Sequence, residues 1–318
     1  MEHRFTPKRY YYSFGVPEAE LTVRSGDSVV APTVDAGNTC ADGKTLPKSR
    51  RQKPTSSALH ESNPLAGPIY VQGAAPGDTL AVHIDEIKLN RDWGYSRIMP
   101  HFGSLTGEGR GKSMYLNDPL PEMRFDWALD LDKRVGTLKL SKSRLKSVEI
   151  PLHPFIGSIG VAPRFGRVET ALAPGEYGGN MDCVETKEGT TLYLPVFAKG
   201  AYLAFGDVHA AQSDGELCGV AIETTADVRL TIRVIKRKAI DWPRLEDDEH
   251  IMTAGSARPL MDALRIAQRE LLEWLVADYG FDRWEAWQVI SQVGTTRIGN
   301  VVDPLYTVVA KFPKRYLP

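Results

Sequence analysis

VRLTIRVIK, residues 228–236, places apolar side chains at every second position: Val228, Leu230, Ile232 and Val234. A period of two is that of an extended strand, one face in a core and the other, with Arg229, Thr231 and Arg233, in polar surroundings. VAIET (220–224) precedes it as a further short strand. LAVHI (80–84) alternates in the same way. Asp85 and Glu86 then intervene, and IKL (87–89) resumes with its apolar phase shifted by one, which predicts a bulge rather than a strand end. YLPVF and AYLAF, separated by AKG, read as a hairpin over 193–205. RSGDSVVAPTVDAG (24–37) and APGDTLAVHIDEI (75–87) each set a Gly-Asp turn before a β-branched run, predicting two strands with similar approaches.

The period changes toward the end of the chain. Leu260, Leu264, Ala267, Leu271 and Leu275 fall at helical spacing, predicting a helix from about 256 to 279 closed by Gly280. Asp282 with Glu285 forms a capping-box-like start to a second helix that ends before Gly294. Residues 91–150 mix RDWGYSR, GSLTGEGRGKS and several prolines, with weak strand candidates at KRVGTLKL (133–140) and SVEIPL (147–152). They read as long loop excursions. The chain is therefore mainly β: a sandwich core over 1–250 and a C-terminal helical extension over 251–318, in one domain spanning 1–318.

Composition excludes several functions. Lys and Arg number 39 against 40 Asp and Glu, so the basic excess of a nucleic-acid binder is missing. No window approaches 18 apolar residues, and the polar start MEHRFTPKRYYYS lacks a signal-peptide core, so no membrane association is expected. Cys40, Cys183 and Cys218 form neither a disulfide framework nor a C-x-x-C pair, which predicts a reducing cytoplasm.

The chemistry concentrates in FGDVHAAQSDGELCG (205–219), which packs Asp207, His209, Asp214 and Glu216 into ten positions among small residues. Asp207 and His209 are two apart and share a strand face; Asp214 and Glu216 repeat that spacing after a break. Singly, such an aspartate caps a turn and such a histidine packs in a core. Four ionisable groups together would be costly to bury unless a cation joined them, and nitrogen with carboxylate oxygen suits zinc or a similar divalent ion. TVDAGNT (33–39) adds Asp35, HPFIGSIGVAP (153–163) adds His153, and GEYGGNMDC (175–183) adds Asn180 and Asp182.

HPFIGSIGVAP, GGNMDC, EGTTLYLPVFAKGAYLAFGDVHAAQSDGELCG, AIE, TVDAG, GPIYVQGAAPGDTLAVHIDEI and the closing VDPLYTVVAKFPKRYLP together resemble the acetamidase/formamidase family. The resemblance covers most of the chain and is weakest over 91–150. It implies a jelly-roll-like β-sandwich, a homo-oligomer, and metal-dependent hydrolysis of a linear carboxamide C–N bond with release of ammonia, or opening of a γ-lactam. It implies a divalent metal, zinc first, with calcium or manganese as alternatives, at Asp35, Asp182, Asp207 and His209. His153, Asp214 and Glu216 lie nearby as catalytic candidates, Glu216 being the general base. One departure stands out: formamidase-like members carry a Cys-containing D-C-x-G-G stretch where this chain has VDAGNT, which favours the acetamidase or lactamase side.

Other amidase chemistries fit less well. No Gly/Ser-rich segment surrounds a Ser–Ser–Lys set, Ser56 and Ser57 standing in a basic loop, and no G-x-S-x-G elbow occurs. Cys183 and Cys218 read as small packed side chains rather than nucleophiles. The alternative from another class is a non-catalytic small-molecule-binding sandwich with a structural metal. A further expectation is a bulkier amide or cyclic imide, held by Trp93, Tyr95, His101 and Phe102.

Overall fold

The computed structural model describes residues 1–55, 61–106 and 119–318; Ser56, Ser57 and the 107–113 part of the Gly-rich stretch lie outside them. Strand Ala226–Ile235 runs through a nine-stranded sheet with Ser28–Pro32 on one side and Thr79–Leu89 on the other, both antiparallel. These flanking strands are the two that follow Gly-Asp turns, and Gly26 and Gly77 hold φ of 95° and 90° there, which glycine adopts without steric cost. The expected bulge is present. Arg229 pairs with Glu86 and Leu230 with Ile84, so Asp85 is the extra residue.

The 193–205 segment is not a hairpin. Thr191–Pro195 lies in the nine-stranded sheet, whereas Leu203–His209 lies in a second, eleven-stranded one. Gly200, Ala201 and Tyr202 have positive φ in succession, and the backbone of this turn bonds elsewhere: Val71 donates to the Gly200 carbonyl and Gly200 to that of Ala74. Alternation on both sides of a small turn mimics a hairpin, but here it marks a crossover between sheets. Their facing side chains, among them Val82, Ile84, Leu230 and Ile232 from one and Ile69, Ile156, Phe205 and Val208 from the other, share one core.

Residues 91–150 are more regular than loop excursions. Trp93–Ile98, Met123–Asp130, Val135–Lys139 and Ser147–Pro151 form an antiparallel meander that extends the eleven-stranded sheet. Both weak strand candidates are strands of this arm.

Segment 251–318 supplies strands as well as helices. His250–Ala257, Thr295–Asn300 and Tyr306–Pro313 complete the nine-stranded sheet, and α1 (Leu260–Tyr279) and α2 (Arg283–Val293) cover its outer face. On Tyr306–Pro313, Val309 joins the main core while Val308, Ala310 and Phe312 meet the helices. α1 starts four residues later than its periodicity predicts because Ser256 and Ala257 remain paired to Thr307 and Tyr306. Gly255 beneath α1 leaves no room for a Cβ, which would lie 2.5 Å from the Ala263 carbonyl oxygen. Gly280 closes α1 at φ 69°, and the Asp282 carboxylate caps α2 by accepting from the amides of Trp284 and Glu285. Among the described residues no helix is long and apolar enough to cross a membrane.

Candidate metal centre and active site

The site forms where the ladder along Leu203–His209 is interrupted. One edge pairs with Phe155–Gly160, but the register skips Gly157 and Asp207. The other edge is shared, Leu65–Gln72 taking Leu203 to Gly206 and Glu223–Thr224 taking Val208 and His209. Asp207 sits at that junction with φ 56°. Gly157 makes the approach feasible, since a Cβ there would lie within 2.9 Å of both the Asp207 and the Asp182 carboxylate oxygens. Asp182, Glu216 and Asn63 also have left-handed backbones, with φ of 46°, 49° and 54°. Each costs roughly 1–3 kcal/mol of local strain, and their convergence on one point marks a site that the rest of the fold holds in place.

His209 is the hub. Its Nε2 lies 3.5 Å from Asp207 Oδ2 and 3.4 Å from Glu223 Oε1, Glu223 being its cross-strand neighbour. Asp182, His209 and Glu216 form a second group, and in each group the donor atoms lie within 4.8 Å of one another. The Gln212 amide nitrogen donates to the carbonyls of Asp182 and Gly299, both at 3.0 Å, so its oxygen must face His209 Nδ1 at 2.9 Å and accept from it. That places the imidazole proton on Nδ1 and aims the Nε2 lone pair at the carboxylates. Between that nitrogen and the carboxylates there must be a positive charge, either a second proton on the ring or a metal cation.

The surrounding network is short of positive charge. Asp207 Oδ2 accepts from Asn63 Nδ2 at 2.8 Å and from Ser158 Oγ at 3.3 Å. Asn180 Nδ2 donates to Asp182 at 3.1 Å and to Asp303 at 2.8 Å, and its Oδ1 accepts from Asn63 and Ser158. Asp182 Oδ1, Asp207 Oδ1 and Glu223 Oε2 are buried with no hydrogen-bond partner. Burial and then neighbouring carboxylates push the carboxyls of Asp182, Glu216, Glu223 and Asp303 well above the usual range. For His209, burial disfavours the imidazolium, but Asp207, Glu216 and Asp182 outweigh it and raise its pKa to about 10. Both tendencies report the same demand, and a divalent cation meets it. The residues present fit one.

The centre forms one wall of a cavity of about 320 Å³, with Asp207, His209, Glu216, Glu223 and Asp303 on that side. Tyr95, Arg97, Met99, Phe102 and Leu172 line the rest. Of the four aromatic-excursion candidates, Tyr95 and Phe102 therefore reach the cavity. Trp93 instead stacks under Arg91, 3.6 Å from ring centroid to guanidinium carbon, and His101 lines a separate cavity of about 700 Å³.

Three of the residues singled out from sequence are in neither group of ligand atoms. Asp35 is buried but committed: Oδ1 accepts from the Thr39 amide at 2.7 Å and Oδ2 from Arg91 at 2.8 Å. His153 is exposed, with its backbone amide bonded to Ala210. Asp214 is exposed and paired with Arg297. The 205–219 segment turns sharply at Gly215, φ 88°, so Asp214 and Glu216 face opposite environments despite their spacing of two. Cys183 is packed as expected, its thiol pushed up by burial and Glu185, whereas Cys218 is exposed.

Sequence reasoning missed Asn63, Ser158, Gln212, Glu223 and Asp303. Glu223 carried a signal, an acid inside the apolar run VAIET, and Ser158 another, a lone hydroxyl in FIGSIG. Gln212 offers a direct check on the ring orientation. Gln212→Leu removes the Nδ1 acceptor, and zinc affinity, measured by competition with a chromophoric chelator, is expected to weaken about 10- to 100-fold. An unchanged affinity would mean that Gln212 does not set the tautomer.

A β-sandwich with a buried carboxylate–imidazole centre opening on a small cavity defines the class. The chain belongs to the acetamidase/formamidase family, whose model matches residues 15–169 and 167–314. A crystal structure of an acetamidase from Yersinia enterocolitica is similar over 100% of this chain and 93% of its own, with 38% identity and a TM-score of 0.86. Acetamidase from Mycolicibacterium smegmatis is 27% identical over 226 residues, 54% of this chain and 53% of its own. Formamidase from Methylophilus methylotrophus is 29% identical over 210 residues, 54% of this chain and 51% of its own. The match spans about half the length of these curated relatives.

Proposed function

We propose that the chain hydrolyses the C–N bond of a short carboxamide, releasing ammonia, at a centre that holds one divalent cation. The observation that carries this reading is His209 Nε2 facing the carboxylates of Asp207 and Glu223 on a cavity wall, where Asp182 Oδ1, Asp207 Oδ1 and Glu223 Oε2 are left without a hydrogen-bond partner. Similarity to proteins named acetamidase and formamidase supports the substrate class.

His209, Asp207 and Glu223 would hold the ion, with Asp182 at the neighbouring position. An imidazole among carboxylates favours zinc over calcium, whose ligands are oxygen. When bound, the ion supplies Lewis acidity toward water and the amide carbonyl. The chain's own residues do the rest. Asn63 and Ser158 hold Asp207, and Gln212 holds the imidazole. Glu216, on the cavity wall beside Asp182, takes a proton from water and delivers it to the amide nitrogen, which otherwise leaves poorly. A centre that opens on a cavity, rather than one sealed by four protein ligands, is what separates hydrolysis from a structural-metal reading. All three cysteines are free, which supports a reducing, cytoplasmic setting.

The test pairs elemental analysis with ammonia release from formamide, acetamide and a γ-lactam, with and without chelator. About one zinc per chain and chelator-sensitive, zinc-restored turnover are expected. Full turnover without stoichiometric metal would overturn the metal assignment. Silence on every amide, with metal bound, would overturn the hydrolase reading.

A further inference from the structure

The cavity is larger than acetamide or formamide requires, and its lining includes a cation, Arg97, that pairs with no group among the described residues. Sites for small organic ligands measure roughly 300–1,000 Å³, and at about 320 Å³ this one admits a molecule well beyond four heavy atoms. Arg97 lies on strand Trp93–Ile98, two residues after Tyr95 and two before Met99, and all three line the cavity. Its Nε is buried without a hydrogen-bond partner, and among the described residues its guanidinium makes no hydrogen bond or ion pair. The side chain is half-buried, so the Nε is cut off from water without an acceptor while the rest of the fork remains open to a ligand in the cavity.

The neighbouring arginines differ. Arg91 is fully engaged by Asp35 and by the carbonyls of Trp93 and Glu223. Arg124, opposite Arg97 on the adjacent strand, is tied to Asp126. Arg97 does not neutralise the acidic wall of the cavity either, since it pairs with none of those carboxylates. It is positioned by the Tyr95 ring, whose centroid lies 4.9 Å from the guanidinium carbon, a stacking contact that leaves the planar fork free for an in-plane acceptor.

We propose that Arg97 recognises a carboxylate on the substrate, so that the site takes half-amides of short dicarboxylic acids in preference to neutral amides. The amide end meets the carboxylate–imidazole centre, the carboxylate end pairs with the Arg97 fork, and Met99, Phe102 and Leu172 cover the methylenes between. The proposal rests on the hydrolase reading for its turnover but not for its binding, and two measurements separate them.

The first compares kcat/KM for the half-amide of a four-carbon dicarboxylic acid with that for butyramide, in wild type, Arg97→Gln and Arg97→Lys enzymes. The wild type is expected to prefer the half-amide. Arg97→Gln is expected to reduce the ratio of the two values about 100-fold, chiefly through the KM of the half-amide, with Arg97→Lys between. A ratio equal in wild type and Arg97→Gln overturns the proposal. The second measurement is calorimetric binding of the four-carbon dicarboxylate to the metal-loaded protein. Binding that Arg97→Gln weakens about 100-fold supports the assignment even if no amide is turned over, in which case the hydrolase reading alone fails. Equal binding, or none, in both proteins overturns it.

Discussion

His209→Ala is expected to abolish ammonia release, a loss of at least about 10³-fold, and to empty the metal centre while the chain stays folded. The imidazole is the one nitrogen donor in both groups of ligand atoms, and the alanine leaves only carboxylates, which hold a zinc-like ion less selectively. If the proposed ion is held there, its loss would take away the Lewis acidity such an ion supplies toward water and the amide carbonyl. The structural cost is smaller. His209 meets Phe155 edge-on with centroids 5.0 Å apart, and the two lie on paired neighbouring strands whose other residues pack into the core shared by the two large sheets. The readout is threefold: zinc per chain, turnover, and the rise in Tm on adding zinc. Wild type is expected to gain Tm with zinc by ligand linkage, and the variant to gain none. A variant that retains stoichiometric zinc and near wild-type turnover would take His209 out of the centre.

The framework was legible because strand periodicity and helix capping are local. Val228 to Val234 announces its own pleat, Asp85 its own bulge, and Gly280 and Asp282 the ends of their helices. What the sequence concealed depends on pairing across distance. The 193–205 crossover has the alternation of a hairpin, and only three successive left-handed residues send it to the other sheet. The same limit governs the site. Asp207, His209 and Glu216 were identifiable because they fall within one segment, but Glu223 reaches His209 through strand pairing and Asp303 through a loop that returns near the end of the chain. Asp35 shows a complementary limit. An aspartate ending an apolar strand looks the same whether it faces a cation or an arginine 56 residues away. Spacing alone also equated Asp214 with Glu216, and a left-handed turn at Gly215 separates them.

That separation carries the remaining prediction. Glu216→Gln is expected to keep the metal and lose about 10²–10⁴-fold in kcat, whereas Asp214→Asn is expected to leave turnover unchanged. Glutamine preserves the volume of Glu216, which is buried and held with φ 49° between Ser213, whose carbonyl accepts its amide, and Gly219, whose amide donates to its carbonyl. What glutamine lacks is a site that accepts a proton from water at neutral pH. Asp214 is exposed beside Arg297, and surface pairs of that kind contribute only about 0–1 kcal/mol. The two variants therefore differ in the proton and not in the fold. Turnover and zinc content measured side by side decide the roles. Loss of zinc from Glu216→Gln would make Glu216 a ligand. An inactive Asp214→Asn beside an active Glu216→Gln would mean that the surface pair, not the cavity wall, handles the proton. Full activity in both would shift the base to Asp303, the other acid on the cavity wall outside the Asp207–His209–Glu223 set. The placement of Glu216 favours a role for it in proton transfer, because it lines the cavity and its carboxylate lies within 4.8 Å of the imidazole, whereas Asp214 does neither.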